Sequence, residues 1–478
     1  MAIRHIQGVS EPSPVISPAN LFDRTVERLG QMLRDAAGEA RVRLTGQVRP
    51  ELPEDDAARL RRQIDACLAA KGGEVSARGH AATLATTYLG LLPTGRARFL
   101  QMLAEEYGVD RAALAGLMVD WQAAEKPEEQ RRIEAKLRAA LTPDRLQLLT
   151  QFNAVPQGVK FLVDLRADLA GLLRRQPTLA VLDDDLRTLL ASWFDIGFLD
   201  LARITWHSPA VLLEKLIAYE SVHKIESWTD LKNRLDSDRR CYAFFHPRMP
   251  DEPLIFVEVA LVNGMADNVQ TLLDEHAPAL DPRLADTAIF YSISNCQRGL
   301  NGVSFGNFLI KRVVDALSRD LPKLSTFATL SPIPGLRTWL FKLDEEPLNE
   351  AERKVLAPFG ADTLAGLKQV LERPDWHLDP VVAPALEAPL KRLCARYLVT
   401  EKQGGRALDR VAHFHLSNGA RVERLNWLGD TSAEGLKQSF GMMVNYRYKL
   451  DEIEANHEAY SADGQAAATG ALKRLAKG

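Results

Sequence analysis

The amino-acid sequence predicts an α+β multidomain protein, an N-terminal all-α helical bundle followed by a mixed β-sheet domain with flanking helices. Two patterns along the 478 residues support this prediction. Up to about residue 190, apolar residues recur every three or four positions, as in LFDRTVERLGQML, which is typical of amphipathic helices. Beyond it, strand-like runs such as CYAFFHP and LIFVEVALV alternate with helical stretches and turns. We therefore expect a bundle at 1–190 and a sheet domain at 191–478.

Composition restricts the classes of function. An apolar content of 46%, a charged content of 26% and a net charge of −3 are ordinary for a globular protein and give no electrostatic reason to expect nucleic acid. The sequence contains neither an apolar run of about 18 residues nor an apolar signal core, so we expect no membrane partner and no secretion. The four cysteines form no CxxC pair, which fits a reducing cytoplasm.

The predicted bundle contains no catalytic constellation. Its Arg-rich helix faces carry interleaved acidic residues, which favours solvated surfaces over a nucleic-acid interface. A bundle without chemistry of its own, placed before a domain that has some, is typical of an assembly element. We therefore expect the bundle to mediate oligomerisation.

The elements of the second domain follow from local patterns. CYAFFHP and LIFVEVALV predict a hairpin. The strand AIFYSIS, a glycine-rich turn, the helix FLIKRVVDAL and the strand STFATLS predict a crossover with parallel strands. Residues 344–406 predict a mostly helical insertion. VAHFHLS and ARVERLNWL flank Asn418-Gly419, a strong hairpin signal, so we expect both runs to be strands.

The glycine-rich turn of the crossover is the first candidate site. It contains Gly299, Gly302 and Gly306 and leads directly into a helix. Bare backbone N–H groups and the helix dipole together favour an anion such as a diphosphate at such a turn. The alternative is a glycine-rich connection that binds no ligand.

The predicted layout resembles the acetyltransferase (GNAT) fold, in which this turn holds the pyrophosphate of coenzyme A. Four longer blocks resemble the malonyl-CoA decarboxylase family, namely SISNCQRGLNGVSFGNFLIKRVV, FATLSPIPGL, HFHLSNGARVERLNWLGD and MMVNYRYKL. The resemblance implies decarboxylation of malonyl-CoA to acetyl-CoA and CO2. It also implies a homotetramer assembled through the helical domain, and a bacterial enzyme of the cytoplasm.

The resemblance also implies specific residues. The catalytic residues would be Ser331, His415 and Tyr448. The residues that bind the substrate and coenzyme A would be Asn301, Gly302, Val303, Ser304, Phe305, Gly306, Asn307 and Ser331, to which the turn itself adds Arg298 and Gly299. Animal members of the family carry an acid where this chain has Ser304, so no role of that acid is transferred.

The chemistry of this reaction predicts that no metal, biotin or pyridoxal is required. Loss of CO2 from a malonyl thioester leaves an electron pair that the thioester carbonyl accepts as an enolate. A neutral hydroxyl such as that of Ser331 suits the leaving carboxylate, because a full positive charge would stabilise the ground state. His415 would hydrogen-bond that serine and supply a proton near neutral pH.

Each assignment has an alternative at this stage. Ser331 could instead cap the following helix. His413 and His415, on one face of a strand, could hold a metal. Cys296 could be a nucleophile or a small buried residue. Tyr448 could be a packed tyrosine without a role.

Alternative functions remain open as well. The first is an acyl-CoA-dependent acyltransferase or thioesterase, which would need an acceptor pocket or an acid that orients the histidine. The second is a non-catalytic acyl-CoA-binding sensor, because a fold alone does not establish activity.

Overall fold

The computed structural model describes residues 48–69, 73–303 and 309–477. These residues form two compact units. The first contains the described residues of Met1–Asp200, Phe245–Leu254 and Asn295–Phe305; the second contains those of Leu201–Phe244, Ile255–Ser294 and Gly306–Gly478. Within the described ranges, no helix has the length and apolar character needed to cross a membrane.

The first unit is helical up to its first strand because its apolar residues follow a helical period. In α1, Glu54–Leu68, the buried Leu60, Ile64 and Cys67 recur at intervals of three and four residues. The helices that follow are α2 Gly73–Leu89, α3 Pro93–Glu106, α4 Arg111–Ala123, α5 Pro127–Ala140, α6 Asp144–Asn153, α7 Gly158–Leu172 and α8 Ala180–Trp193. The predicted all-α N-terminal region is thereby confirmed.

Helices also flank the sheet that follows. They are α9 Ala210–Tyr219, α10 Trp228–Arg234, α11 Val269–Leu272, α12 Leu309–Asp320, α13 Leu336–Lys342, α14 Glu350–Leu356, α15 Leu364–Glu372, α16 Val382–Val399, α17 Arg410–Ser417, α18 Ala433–Ser439, α19 Ile453–Asp463 and α20 Gly470–Leu475. The segment at 344–406 contains α14, α15 and α16 and then a small hairpin around Gly404-Gly405.

The strands form a mixed sheet. They are β1 Asp200–Ile204, β2 Arg239–His246, β3 Met249–Val262, β4 Thr287–Asn295, β5 Thr326–Thr329, β6 Ser331–Pro332, β9 Arg421–Asn426 and β10 Met443–Arg447, while β7 Lys402–Gln403 and β8 Arg406–Ala407 pair separately. The order is β1-β2-β3-β4-β5-β10-β6, and β9 pairs with β10. β4 and β5 are parallel, with Phe290 opposite Thr329, so the predicted crossover is confirmed.

One face of the central strands packs into an apolar core. Ile289 and Tyr291 of β4 lie with Ala328, Leu330 and Met443 in one buried cluster. Because side chains alternate along a strand, the intervening residues point to the opposite face of the sheet. The candidate catalytic residues lie on that opposite face.

The predicted hairpin at Asn418-Gly419 is wrong. VAHFHLS forms the helix α17, Arg410–Ser417, and β9 pairs with β10 rather than with this segment. Asp409 caps the helix N-terminus, and Gly419, with φ of +80°, follows its C-terminus in the left-handed conformation that favours glycine. The alternation of apolar and polar letters suggested a strand, whereas the buried Ala412, His415 and Leu416 follow a helical spacing.

Candidate active site

Ser331 lies where the central strands of the sheet diverge. β5 is bonded to β4 as far as Leu330, whose N–H donates to the carbonyl of Phe290 over 3.0 Å. On its other side the segment pairs with β10 throughout, with Ala328 of β5 opposite Arg447 and Ser331 of β6 opposite Val444. The chain therefore separates from β4 after Leu330 and keeps β10 as its neighbour at Ser331.

An irregular stretch of β10 lies beside the point where β5 and β4 separate. The carbonyl of Thr329 accepts a hydrogen bond from Asn445 Nδ2 at 2.6 Å, and its hydroxyl accepts one from the backbone N–H of Tyr446 at 3.1 Å. The register of β10 against β9 shifts between these same two residues. Such irregularities redirect side chains within a sheet. Side chains thus replace part of the backbone ladder beside Ser331.

The structure brings the three predicted catalytic residues into one hydrogen-bonded chain. Ser331 Oγ lies 3.2 Å from His415 Nε2, and His415 Nδ1 lies 2.8 Å from Tyr448 Oη. Ser331 Oγ also donates to Thr329 Oγ1 over 2.8 Å. With Ser331 donating to Thr329, Nε2 of a neutral histidine donates to Ser331 and Nδ1 accepts from the Tyr448 hydroxyl. A proton path therefore runs from Tyr448 through His415 to Ser331.

Burial controls the charge state of these three hydrogen-bonded residues. Ser331, His415 and Tyr448 have exposed fractions of 5%, 3% and 1%. Burial lowers the pKa of His415 to about 3 and raises that of Tyr448 above its ordinary value. The His415 ring also stacks on Tyr446, with ring centroids 4.6 Å apart. His415 is therefore neutral near pH 7.

Ser331 does not cap the following helix. The residue before α13 is Gly335, which makes no side-chain cap, while both contacts of Ser331 Oγ go to Thr329 and His415. Gly335 itself is required by space, since a Cβ atom there would lie 2.0 Å from the hydroxyl oxygen of Tyr397. The capping alternative is therefore wrong.

The two-histidine metal alternative loses its geometric basis. On a helix, His413 and His415 are separated by about 200° of rotation, whereas a strand would have aligned them. His413 Nδ1 contacts Tyr460 Oη at 2.9 Å, and both ring nitrogens of His415 already have partners. Within the described residues, no three His, Cys, Asp or Glu side chains converge in a way that could hold a metal.

The glycine-rich turn belongs to the first unit as far as it is described. Gly299 packs so closely on α7 that a Cβ atom would lie 1.7 Å from the carbonyl oxygen of Val163. From the same helix, Arg166 Nη1 donates to the carbonyls of Gly299 and Asn301 over 2.7 and 2.9 Å. The contact of Arg166 Nε with Asp183, at 2.9 Å, orients the guanidinium. α7 therefore determines the position of the turn.

Some of the backbone N–H groups that were expected to bind an anion already donate to carbonyls within the turn. The N–H groups of Leu300, Asn301 and Val303 donate to backbone carbonyls three residues earlier. Gly302, with φ of +76°, and Arg298 are exposed, whereas Val303 is buried. The remaining predicted binding residues, Ser304, Phe305, Gly306 and Asn307, lie outside the described residues.

Sequence reasoning missed four residues that hold these sites. They are Arg166, Thr329, Asp409 and Tyr446. Arg166 looked like part of a solvated face because acidic residues surround it in the sequence. Thr329 had a usable signal, since it lies two residues before Ser331 on the same face of a strand. Cys296, the alternative nucleophile, is buried with an exposed fraction of 6%.

Two family models match the chain. The model described as the malonyl-CoA decarboxylase C-terminal domain matches residues 197–478, and the one described as the malonyl-CoA decarboxylase N-terminal domain matches residues 107–194. The chain belongs to the malonyl-CoA decarboxylase family. The blocks that carry the resemblance in sequence lie inside the larger of these matches.

Individual relatives agree with this family. The chain is 41% identical over 385 residues to a mitochondrial malonyl-CoA decarboxylase of Anser anser anser, a match that covers 76% of both proteins. The mitochondrial malonyl-CoA decarboxylase of Rattus norvegicus is 40% identical over 406 residues, covering 80% of this chain and 82% of the relative.

Solved structures of bacterial family members share the fold. The crystal structure of malonyl-CoA decarboxylase from Rhodopseudomonas palustris matches with a TM-score of 0.80 and 42% identity, covering 87% of this chain and 99% of that one. The structure from Agrobacterium vitis matches with a TM-score of 0.79 at the same identity and coverage. The α+β fold is therefore that of family members.

Proposed function

We propose that this protein decarboxylates malonyl-CoA to acetyl-CoA and CO2 without a metal or organic cofactor. The main support is that the buried side chains of Ser331, His415 and Tyr448 are hydrogen-bonded in a row in a member of the malonyl-CoA decarboxylase family. All three residues came from the family resemblance and lie far apart in sequence. A hydroxyl, a neutral imidazole and a phenol can bind a carboxylate and move a proton without any redox or electrophilic group.

The reaction begins with the malonyl carboxylate accepting a hydrogen bond from the Ser331 hydroxyl. The bond between the carboxylate carbon and the α-carbon then breaks, CO2 leaves, and its electron pair moves into the thioester as an enolate. The α-carbon next takes the proton of the Ser331 hydroxyl. His415 Nε2 then gives its proton to Ser331, and Tyr448 gives its proton to His415 Nδ1. Solvent finally restores the Tyr448 proton, so the overall change consumes one proton and releases CO2.

A neutral histidine suits this sequence of steps. An imidazolium beside the malonyl carboxylate would stabilise the charged ground state more than the transition state, in which that charge is leaving. Because burial lowers the pKa of His415, the site presents hydrogen bonds without a positive charge. The same burial gives the water-poor surroundings in which hydrogen bonds to a developing enolate are strongest.

The glycine-rich turn is proposed to bind coenzyme A. The described part offers the exposed Arg298 and the left-handed Gly302. Arginine is a residue that proteins commonly use to bind phosphate groups. The parallel β4–β5 crossover around this turn supports the inference of an acetyltransferase (GNAT)-like layout.

Transfer to an acceptor and hydrolysis are less well supported. In a hydrolase of the serine type, a carboxylate orients the histidine and stabilises its charged form. Here His415 Nδ1 contacts the hydroxyl of Tyr448 instead. The site is therefore better suited to a neutral proton relay than to nucleophilic attack.

The helical domain is proposed to join copies of the chain into a tetramer. The helix α4, Arg111–Ala123, contains no buried residue. Its large apolar residues Met118, Val119 and Trp121 are 52%, 65% and 39% exposed. An exposed apolar helix of this kind is typical of an interaction surface. Val119→Glu should lower the assembly mass in light scattering, whereas Val355→Glu, at a similarly exposed valine of α14, should not. An unchanged mass for Val119→Glu would remove α4 from the interface.

We place the enzyme in the cytoplasm, in malonate or fatty acid metabolism. The support is that Cys67, Cys241, Cys296 and Cys394 are all buried thiols, as expected for a reducing compartment. A cell fraction with the enzyme in another compartment would contradict this location.

The proposed reaction is tested by incubating the purified protein with malonyl-CoA and no acceptor. We expect acetyl-CoA and CO2 in equal amounts, with no free malonate and no free thiol. Free malonate with free coenzyme A would indicate a thioesterase. Binding without any product would indicate an acyl-CoA sensor.

A further inference from the structure

Asp409 links the two segments that carry Ser331 and His415. Its carboxylate is 1% exposed and lies at the N-terminus of α17, the helix that contains His415. Oδ1 accepts hydrogen bonds from the N–H groups of Val411 and Ala412, each at 2.9 Å. This oxygen therefore fixes the start of the helix.

The second oxygen of the same carboxylate is directed at the serine segment. Oδ2 accepts a hydrogen bond from the N–H of Gly335 at 3.4 Å and one from the Tyr397 hydroxyl at 3.3 Å. Gly335 ends the Ser-Pro-Ile-Pro-Gly turn that starts at Ser331, and its two prolines restrict the backbone between them. The position of Gly335 is thus transmitted to Ser331 through a short, stiff segment.

This arrangement differs from an ordinary helix cap. Thr363 at the start of α15 and Ser432 at the start of α18 each accept from an N–H of their own helix, Gly366 and Gly435 respectively. For neither of them does the cap contact reach another segment of the site. Asp409 caps its helix with one oxygen and uses the other to contact the serine segment.

The geometry of the site makes this link consequential. His415 lies six residues beyond Asp409, about 9 Å along the helix axis at 1.5 Å per residue. A small tilt of α17 at its N-terminus therefore moves the imidazole by a substantial part of an ångström. The Ser331–His415 contact is 3.2 Å, which leaves little tolerance before the hydrogen bond is lost.

We propose that Asp409 is a positioning residue for the reaction, holding the His415 helix against the Ser331 turn at the distance that proton transfer requires. This inference rests on the proposed decarboxylation. Because Asp409 touches neither ring nitrogen of His415, it acts through position and not as a proton donor. Its loss lowers turnover without weakening the binding of coenzyme A.

Asp409→Asn separates the two roles of the carboxylate. Asparagine caps helices as well as aspartate does, so Val411 and Ala412 keep their acceptor. The amide nitrogen that replaces Oδ2 is a donor and cannot accept from Gly335 N–H. We expect at least a tenfold decrease in kcat, with the KM for malonyl-CoA and the melting temperature close to wild-type values.

Thr363→Ala is the matched control. It removes a helix cap of comparable strength in the helical insertion, where no site residue lies, so it lowers the melting temperature and leaves kcat unchanged. Tyr397→Phe removes one donor to Oδ2 and keeps the ring, so kcat falls several-fold. It also tests the link if Asp409→Asn does not fold.

The outcomes distinguish this inference from the proposed function. Ser331→Ala and His415→Asn are measured in parallel. If these two variants are inactive while Asp409→Asn has the wild-type kcat, Asp409 does not position the pair. If Asp409→Asn does not fold, a wild-type kcat for Tyr397→Phe leads to the same conclusion. If Ser331→Ala and His415→Asn are both active, the catalytic assignment itself has failed.

Discussion

The glycine turn and the Ser331 site are held by different kinds of interaction. The turn is fixed through its backbone, because Arg166 binds two of its carbonyls and Gly299 leaves no space for a Cβ atom beside Val163. The Ser331 site is fixed through side chains, which contact one another from segments 84 and 33 residues apart. A backbone-held turn suits the binding of a constant group such as coenzyme A. A relay of side chains suits chemistry, where one proton must move.

The largest expected effect comes from breaking the relay. Ser331→Ala and His415→Asn should each lower kcat by about 10²- to 10⁴-fold, the range typical of groups that take part in proton transfer. The KM for malonyl-CoA should change little, because most of the substrate is bound elsewhere. Steady-state kinetics measures both parameters.

His413→Asn is the matched control for this experiment. It alters a histidine on the same helix, two residues away, whose contact is with Tyr460 rather than with the relay. A loss of kcat in His413→Asn as large as in His415→Asn would show that the helix, and not the relay, determines activity.

The next effect concerns pH and stability. His415 has a folded pKa of about 3, below the value of about 6.5 expected in the unfolded chain, because burial disfavours its charge. Once the pH falls below about 6.5, His415 is therefore protonated in the unfolded state but not in the folded state. The contribution of His415 to stability is complete above that pH and is lost progressively as the pH falls toward about 3.

Thermal melting at two pH values measures this contribution. Between pH 7 and pH 4.5, wild-type protein should lose roughly 2–3 kcal/mol more folding free energy than His415→Asn, whose amide does not titrate. Equal losses in the two proteins would contradict a buried, neutral His415. The kcat/KM profile should likewise show no ionisation of free-enzyme His415 between pH 5 and 8.

A smaller effect is expected from the turn. Gly302 has φ of +76°, and no heavy atom of the described residues lies within 4 Å of the position of a Cβ atom. Gly302→Val should raise the KM for malonyl-CoA several-fold with little change in kcat, since a side chain would obstruct the approaching diphosphate.

Gly264→Val controls for backbone strain. Gly264 has φ of +71° and equally open surroundings, but it lies in the loop after β3. Both variants introduce similar strain, so only Gly302→Val should affect KM. Equal KM values for the two variants would mean that the turn does not bind the diphosphate.

No effect is expected from chelation. Exhaustive treatment with EDTA should leave kcat unchanged, because the thioester itself accepts the electron pair. Loss of activity that zinc restores would contradict the cofactor-independent reaction.

Local patterns predicted those parts of the fold that depend on local interactions. The helical period gave the bundle, and the run of strand, turn, helix and strand gave the parallel crossover at β4 and β5. The segment 410–417 was misassigned because its alternation and the following Asn418-Gly419 match a hairpin. Asp409 caps it as a helix with Oδ1, while Oδ2 contacts Gly335 and Tyr397, which lie far away in the sequence or on another helix. Propensity alone cannot reveal such tertiary contacts.

The candidate site was predicted to a similar degree. Ser331, His415 and Tyr448 came from the family resemblance, and the structure brings them together. The pKa of His415 could not be read from its residue type, because burial depends on the whole fold. Arg166 and Asp409 were missed because long-range hydrogen bonds to backbone groups leave no mark in the local sequence.

A double-mutant cycle on kcat for malonyl-CoA tests most directly whether Ser331 and His415 act as one unit. Residues that serve one step are non-additive, so the double variant Ser331→Ala, His415→Asn should be no more than about threefold slower than the slower single variant. Single-variant effects that multiply in the double variant would contradict a shared proton relay.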